Sequence, residues 1–222
     1  MRIFFQLILF CKSSHSIIQN NKRLFCSKEN VKFLENIIEN NEYIKNCKST
    51  KKKDISSLSY LINKDLSQSD CIKLGTSLEL VLKDIIKQSN KDMIDIRPKN
   101  IKGKKERDHL FLCEKTQTIY YAEIKSNLHL DTEKCKTTSL KCLQIQNELR
   151  EEYPFYKIKM FLIGSRYLYK NLIPSKIIKK YEIIQDNVLG VNEYFNNMNI
   201  PFSFNNDDYI TFLNKISNKC FS

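Results

Sequence analysis

Two apolar, β-favouring runs at residues 108–113 and 118–125 stand only four residues apart, and that spacing constrains the fold more than any other feature of the chain. The residues between them, Glu114, Lys115, Thr116 and Gln117, have the length and polarity of a hairpin loop, so the two runs are expected to pair antiparallel. Upstream, Leu74, Leu78, Val81, Leu82 and Ile85 fall on one helical stripe, predicting a helix capped by Ser69 and running to about Gln88, with Glu79 off the stripe. Residues 92–97 alternate like a short strand before Pro98. Downstream, Asp131 is a candidate N-cap for a long helix reaching Tyr153, with Leu140, Leu143 and Leu149 inward and lysines outward. Pro154 closes that helix, and residues 157–163 read as a buried strand ahead of Gly164, followed by helical or irregular segments. Helix, strand, hairpin, helix, strand places the chain in the α/β (α+β) class, with a central mixed sheet flanked by helices.

The N-terminal third carries a weaker pattern. Val31, Leu34, Ile37, Ile38 and Ile44 predict a peripheral helix over residues 30–46, and the lysine-rich stretch 49–54 reads as an exposed connection. The chain therefore divides into residues 1–66, an N-terminal arm with peripheral helices, and residues 67–222, a sheet-bearing core with a helical C-terminal extension. The apolar run 3–11 is too short to span a bilayer. A targeting segment, an arm and an over-extended start are all compatible with residues 1–28. No later run reaches the length of a membrane helix, so no membrane partner is expected.

With 222 residues and 41% hydrophobic content the chain can bury one sizeable core, and only four Gly and four Pro exclude collagen-like and low-complexity classes. Its eight cysteines are scattered without a C-x-x-C pair, which reads as reduced thiols in a cytoplasmic protein rather than a disulfide framework or a zinc site. Lys and Arg total 37 against 25 Asp and Glu, a formal charge of +12 that favours a polyanionic partner. Part of that excess reflects the Lys, Asn and Ile bias of an AT-rich coding sequence.

The chemistry concentrates on the hairpin. Residues two apart on a strand share a face, so Glu123 and Lys125 project with Ile119 and Tyr121. Asp108 opens the partner run fifteen residues earlier, and a hairpin returns its carboxylate toward Glu123. Two carboxylates at one strand pair make a hard-oxygen site suited to Mg²⁺, to which the backbone carbonyl of Ile124 adds a further candidate ligand. Phosphodiester hydrolysis needs an activated water and a cation facing the phosphoryl oxygens. Lys125 is placed to position or deprotonate that water, or to stabilise the charged transition state. Asp92 and Asp95 are competing carboxylates; Asp108 is preferred because it sits at the mouth of the hairpin, with Asp95 second.

Asp108 followed by Glu123-Ile124-Lys125 resembles the active-site signature of the PD-(D/E)xK nucleases. Gly75-Thr76-Ser77-Leu78-Glu79 resembles the helix that precedes the hairpin in those enzymes and whose glutamate often joins the site. Residues 104–111, the run Tyr120-Tyr121-Ala122-Glu123-Ile124-Lys125-Ser126-Asn127 and the following Leu130-Asp131-Thr132-Glu133-Lys134 resemble type II restriction endonucleases. The likeness covers residues 74–167, and Arg107 stands where the family often has proline. It implies a restriction-endonuclease-like core and Mg²⁺-dependent hydrolysis of double-stranded DNA at a short specific sequence. Asp108, Glu123, Lys125 and Glu79 would then be catalytic, with Asp108, Glu123 and Ile124 at the metal. A homodimer suits a palindromic site, and a protective DNA methyltransferase would be the genetic partner.

Lys104, Lys105 and Arg107 form a basic loop beside the proposed metal site, placed to hold phosphates. Ser126 and Asn127 either end the strand or touch the DNA backbone. Lys134, Lys136 and Lys141 form either a solvated helix face or a DNA-facing one. Packing is the expected role of Tyr120 and Tyr121. Two alternatives stand beside the restriction enzyme. One is a structure-selective repair, junction or RNA nuclease of the same fold; the other is a non-catalytic basic DNA-binding protein in which Glu123 and Lys125 form only a salt bridge.

Overall fold

The computed structural model describes residues 28–47, 57–64, 66–97 and 107–221. The apolar N-terminal run and the loop bearing Lys104 and Lys105 lie outside the described residues. Helices α1 (Lys28–Asn40), α2 (Glu42–Lys45), α3 (Ser57–Leu61) and α4 (Gln68–Ser89) precede the sheet. Then come β1 (Ile94–Asp95), β2 (His109–Cys113), β3 (Thr118–Lys125), α5 (Thr132–Glu152), β4 (Lys157–Gly164), α6 (Ser175–Ile178), β5 (Val188–Leu189), α7 (Val191–Asn197) and α8 (Asn206–Phe221).

The five strands lie in the order β1-β2-β3-β4-β5. β1, β2 and β3 pair antiparallel, whereas β3, β4 and β5 run parallel, so the sheet is mixed and β3 is its middle strand. The hairpin has the expected ends: Cys113 faces Thr118 and His109 faces Ala122. Its loop is a short 3₁₀ turn closed by Gln117 in the left-handed region at φ 45°. A parallel β3–β4 pair needs a crossover on one face, and α5 supplies it.

Local chemistry sets the boundaries, and three differ from the sequence expectation. α4 is capped by Ser67 rather than Ser69: Ser67 has extended backbone and accepts from Asp70 N at 3.0 Å, while Ser69 is already inside the helix. The peripheral helix breaks at Asn41, whose side chain accepts from Ile44 N and so starts a second helix. β1 shrinks to two residues, because the Asn90 side chain accepts from Asp92 N and Asp95 accepts from Arg97 N, turning the chain on both sides. Asp131 does cap α5, accepting from Lys134 N at 2.8 Å.

Strand alternation divides the interior in two. Phe111, Tyr120, Ala122, Ile124, Phe161 and Ile163 face a core built with α4, α7 and α8. Leu110, Ile119, Tyr121, Met160 and Leu162 face α5 and the 3₁₀ segment Lys179–Asn187. The inward stripe of α5 is Cys135, Ser139, Cys142, Ile145 and Leu149. Leu140, expected inside, is half exposed, and Leu143 is only partly covered. Small thiols and a hydroxyl take those inward positions, so the helix is seated mainly by compact side chains. The six described cysteines are free thiols. Among the described residues no helix is long and apolar enough to cross a membrane.

Candidate active site

The antiparallel register that sets His109 opposite Ala122 brings Asp108, one residue further out, to the level of Glu123. Asp108 Oδ2 accepts a hydrogen bond from Ile124 N at 2.7 Å, which fixes the carboxylate against β3. Glu123 is 1% exposed and its carboxylate is fully engaged. Lys125 Nζ lies 2.7 Å from Oε1, Lys141 Nζ lies 2.7 Å from Oε2 and 2.9 Å from Oε1, and Tyr121 donates its hydroxyl to Oε2 at 3.1 Å. Glu123, Lys125 and Tyr121 share the α5 face of the sheet, as the alternation of β3 predicts. Tyr121 and Tyr120 are both buried, in packing positions.

The two carboxylates titrate in opposite directions. Burial, followed by the negative charge of Glu123, pushes Asp108 up to about 6 against the opposing Ile124 N–H, Lys125 and Lys141. Burial also opposes ionisation of Glu123, but Lys125 and Lys141 together outweigh it and hold the group below its ordinary value. Burial works against the Lys125 ammonium, and Glu123 more than compensates, so Lys125 stays charged at neutral pH. Cys142, beneath the cluster, is pushed up to about 12 by burial and then by Glu123, which leaves it an inert thiol.

Glu79 on α4 reaches the site by an indirect route. Its carboxylate lies 3.9 Å from the Arg97 guanidinium, which donates to the Asp108 carbonyl at 2.8 Å and pairs with Asp95 at 3.2 Å. Arg97 thus ties together the helix candidate Glu79 and the competing acid Asp95 behind the backbone of Asp108. His109 locks the same corner from the other face. Its Nε2 meets the Glu79 carbonyl, which can only accept, so Nδ1 is the acceptor for the Tyr194 hydroxyl; both distances are 2.9 Å. Burial holds His109 near 3, neutral throughout the working range.

The residues assigned to DNA separate by position. Arg107 is buried, with its guanidinium 3.3 Å from Glu148 and 3.4 Å from Glu152 on α5, so it clasps that helix to the start of β2 instead of pointing to solvent. Lys141 is held on Glu123 rather than on the outer face of α5. Lys134 is exposed and paired with the capping Asp131 at 3.0 Å, and Lys136 is exposed. Ser126 and Asn127 stand partly covered at the end of β3, where the Asn127 side chain accepts from His129 N. A Cβ on Gly75 would lie 3.7 Å from Ser126 Oγ, so α4 passes close to this strand end.

Sequence reasoning missed two features. A lysine bordering a buried helical stripe, as Lys141 borders Cys142, was the available signal for its inward reach. The second is a cationic group where the parallel strands end. His129 Nε2 and the Tyr167 hydroxyl are 2.8 Å apart, Arg166 lies over the Tyr167 ring, and Lys180 donates to the Leu130 carbonyl. Slight burial, then the positive charges of Arg166, Lys176 and Lys180, hold His129 below the usual imidazole value, so it is a neutral ring near three cations. Ser165 N donates to the Lys125 carbonyl, so this surface adjoins the carboxylate cluster.

Among the described residues no group of three or more His, Cys, Asp or Glu is placed to hold a metal ion. The acidic pair Asp108 and Glu123 nonetheless fits a hard divalent cation, since Mg²⁺ takes one or two carboxylates and completes its shell with water and phosphate oxygens. The raised value of Asp108 reflects its burial first and the nearby Glu123 charge second. Set against protein-family models, curated proteins and solved structures, the chain matches none.

Proposed function

We propose that the protein is a Mg²⁺-dependent nuclease of the PD-(D/E)xK type acting on DNA. The observation that carries this reading is the convergence of Asp108, Glu123 and Lys125 at one strand end, with Asp108 pinned to Ile124 N and Lys125 in contact with Glu123. The element order supports the likeness: a helix, three antiparallel strands, a crossover helix and a parallel fourth strand, with the acids at the second and third strands.

Asp108, Glu123 and the Ile124 carbonyl would hold the cation, which would supply an acidified water and charge neutralisation at the phosphoryl oxygens. Lys125, kept charged by Glu123, faces the developing negative charge and serves as an electrostatic stabiliser rather than a base. Arg97 fixes the Asp108 backbone, and Tyr121 and Lys141 fix the Glu123 carboxylate, so both acids are preorganised. Arg166, Lys176 and Lys180, near the neutral His129 ring, would carry the flanking phosphates. Cleavage of the restriction type, at one short duplex sequence by a homodimer with a companion methyltransferase, is the specific form proposed.

The test is incubation of the purified full chain with unmethylated plasmid, branched duplexes and mismatched duplexes, in Mg²⁺ or in EDTA. Metal-dependent cleavage is expected, abolished by Asp108→Asn and Lys125→Met while DNA binding persists. Uniform ends at one motif support the restriction form; cuts at junctions or mismatches in any sequence replace it with a structure-selective enzyme. The double ion pair on Glu123 favours one second reading, a non-catalytic DNA-binding protein. Folded protein that binds duplex yet cuts no substrate in Mg²⁺ would establish it.

A further inference from the structure

Lys141 is the least expected member of the cluster. It comes from α5, not from the hairpin, and its ammonium straddles both oxygens of the Glu123 carboxylate at 2.7 and 2.9 Å. Its side chain is 26% exposed, so it sits at the rim while Glu123 lies beneath. The charges of the cluster balance: Asp108 and Glu123 face Lys125 and Lys141. A dication placed on Glu123 would leave an excess of two positive charges in a half-buried pocket, which a low-dielectric setting penalises. One ammonium must then yield its hold on Glu123. Lys125 is two residues from Glu123 on the same strand face, whereas Lys141 reaches the carboxylate from a separate element on a flexible four-carbon stem.

We propose that Lys141 is a positioning residue that competes with the divalent cation for Glu123, and so sets the metal concentration at which the site loads. The proposal rests on the nuclease reading. It makes Lys141 an internal counter-ion that keeps the buried carboxylate ionised and correctly oriented, then swings toward the rim as the cation takes its place. From there its charge is free to meet a substrate phosphate.

The experiment is calorimetric titration of Mn²⁺ into the full chain, its melting temperature recorded in parallel, for the wild type, Lys141→Met, Lys141→Gln and Lys141→Arg. Both neutral variants are expected to bind Mn²⁺ about tenfold more tightly, and the arginine variant to remain near wild type. Wild-type binding with unchanged or weaker affinity in the neutral variants overturns the proposal and leaves the nuclease reading standing; a purely structural ion pair predicts that pattern. Absence of divalent binding in the wild type overturns the nuclease reading, and this proposal with it. A second measurement needs no variant. Acetylation of wild-type Lys141, read by mass spectrometry against Lys134, is expected to rise severalfold when Mn²⁺ is added, and an unchanged ratio overturns the exchange.

Discussion

The two faces of the sheet use the same strand in opposite ways. Toward α4, α7 and α8, β3 presents Tyr120, Ala122 and Ile124, which join a continuous apolar core with the linked rings of Phe195, Phe202, Phe204, Tyr209 and Phe212. Toward α5 the same alternation starts apolar, with Ile119 and Tyr121, and ends in Glu123 and Lys125. One face is a dry support; the other changes from core to charged cluster within four residues. The difference shows that a site of this kind needs no separate element, only a change of side-chain chemistry along one face of a well-supported strand.

Four outcomes sharpen or break that contrast. The largest stability effect is expected on the dry face: Phe212→Ala removes a nearly buried ring packed on Phe204 and Tyr209 and costs about 3–5 kcal/mol, independent of pH. Urea unfolding at pH 5 and pH 8 checks both the size and the flatness. Glu123→Gln follows at about 2–4 kcal/mol at neutral pH, because Lys125 and Lys141 lose their counter-charge. Since the folded-state value of Glu123 is depressed, that contribution is present above the unfolded value and is lost as pH falls through the folded one. The deficit should therefore shrink in acid, and a deficit equal at pH 3 and pH 8 would remove the electrostatic distinction between the faces.

Asp108→Asn has the opposite sign. The wild-type carboxyl is raised from an ordinary 3.8 to about 6, so its charged form burdens the fold fully above that value and not at all in strong acid. The variant should be more stable than wild type by about 1–3 kcal/mol at pH 8 and equal to it near pH 3. Equal stability at both pH values would mean that the Asp108 carboxylate carries no burial penalty in the fold. The smallest effect concerns the cationic rim. Arg166→Ala should weaken duplex binding by about fivefold and lower the slope of log affinity on log salt by about one. Lys115→Ala, in the hairpin loop at the opposite end of β3, is the charge-matched control and should change neither.

The hairpin, the long helices α4 and α5 and the strand β4 were legible because period-two and helical stripes are direct consequences of backbone geometry. The level of Asp108 against Glu123 was legible for the same reason, once the loop length was known. Other features were hidden by tertiary context. Leu140 reads as inward by its chemistry, yet Cys135, Ser139 and Cys142 take the buried stripe. Arg107 and Lys141 read as phosphate contacts in a lysine-rich chain, and only the packing of α5 shows one on Glu148 and Glu152 and the other on Glu123. The group of Arg166, Lys176 and Lys180 around the neutral His129 ring assembles from three separated segments, which no local pattern marks. α8 carries a legible stripe as well: Tyr209, Phe212, Leu213, Ile216 and Cys220 follow helical spacing throughout.

β3 pairs with β2 over Thr118–Ala122 and with β4 along its whole length. Amide protons in the doubly paired part of such a strand are released to solvent only when the whole sheet opens, so Tyr120 and Tyr121 should rank among the slowest-exchanging positions of the chain, while the Ile124 amide, held by the Asp108 side chain, should exchange sooner. Fraying at that strand end then reaches the Asp108–Ile124 contact before it reaches the doubly paired centre of the sheet.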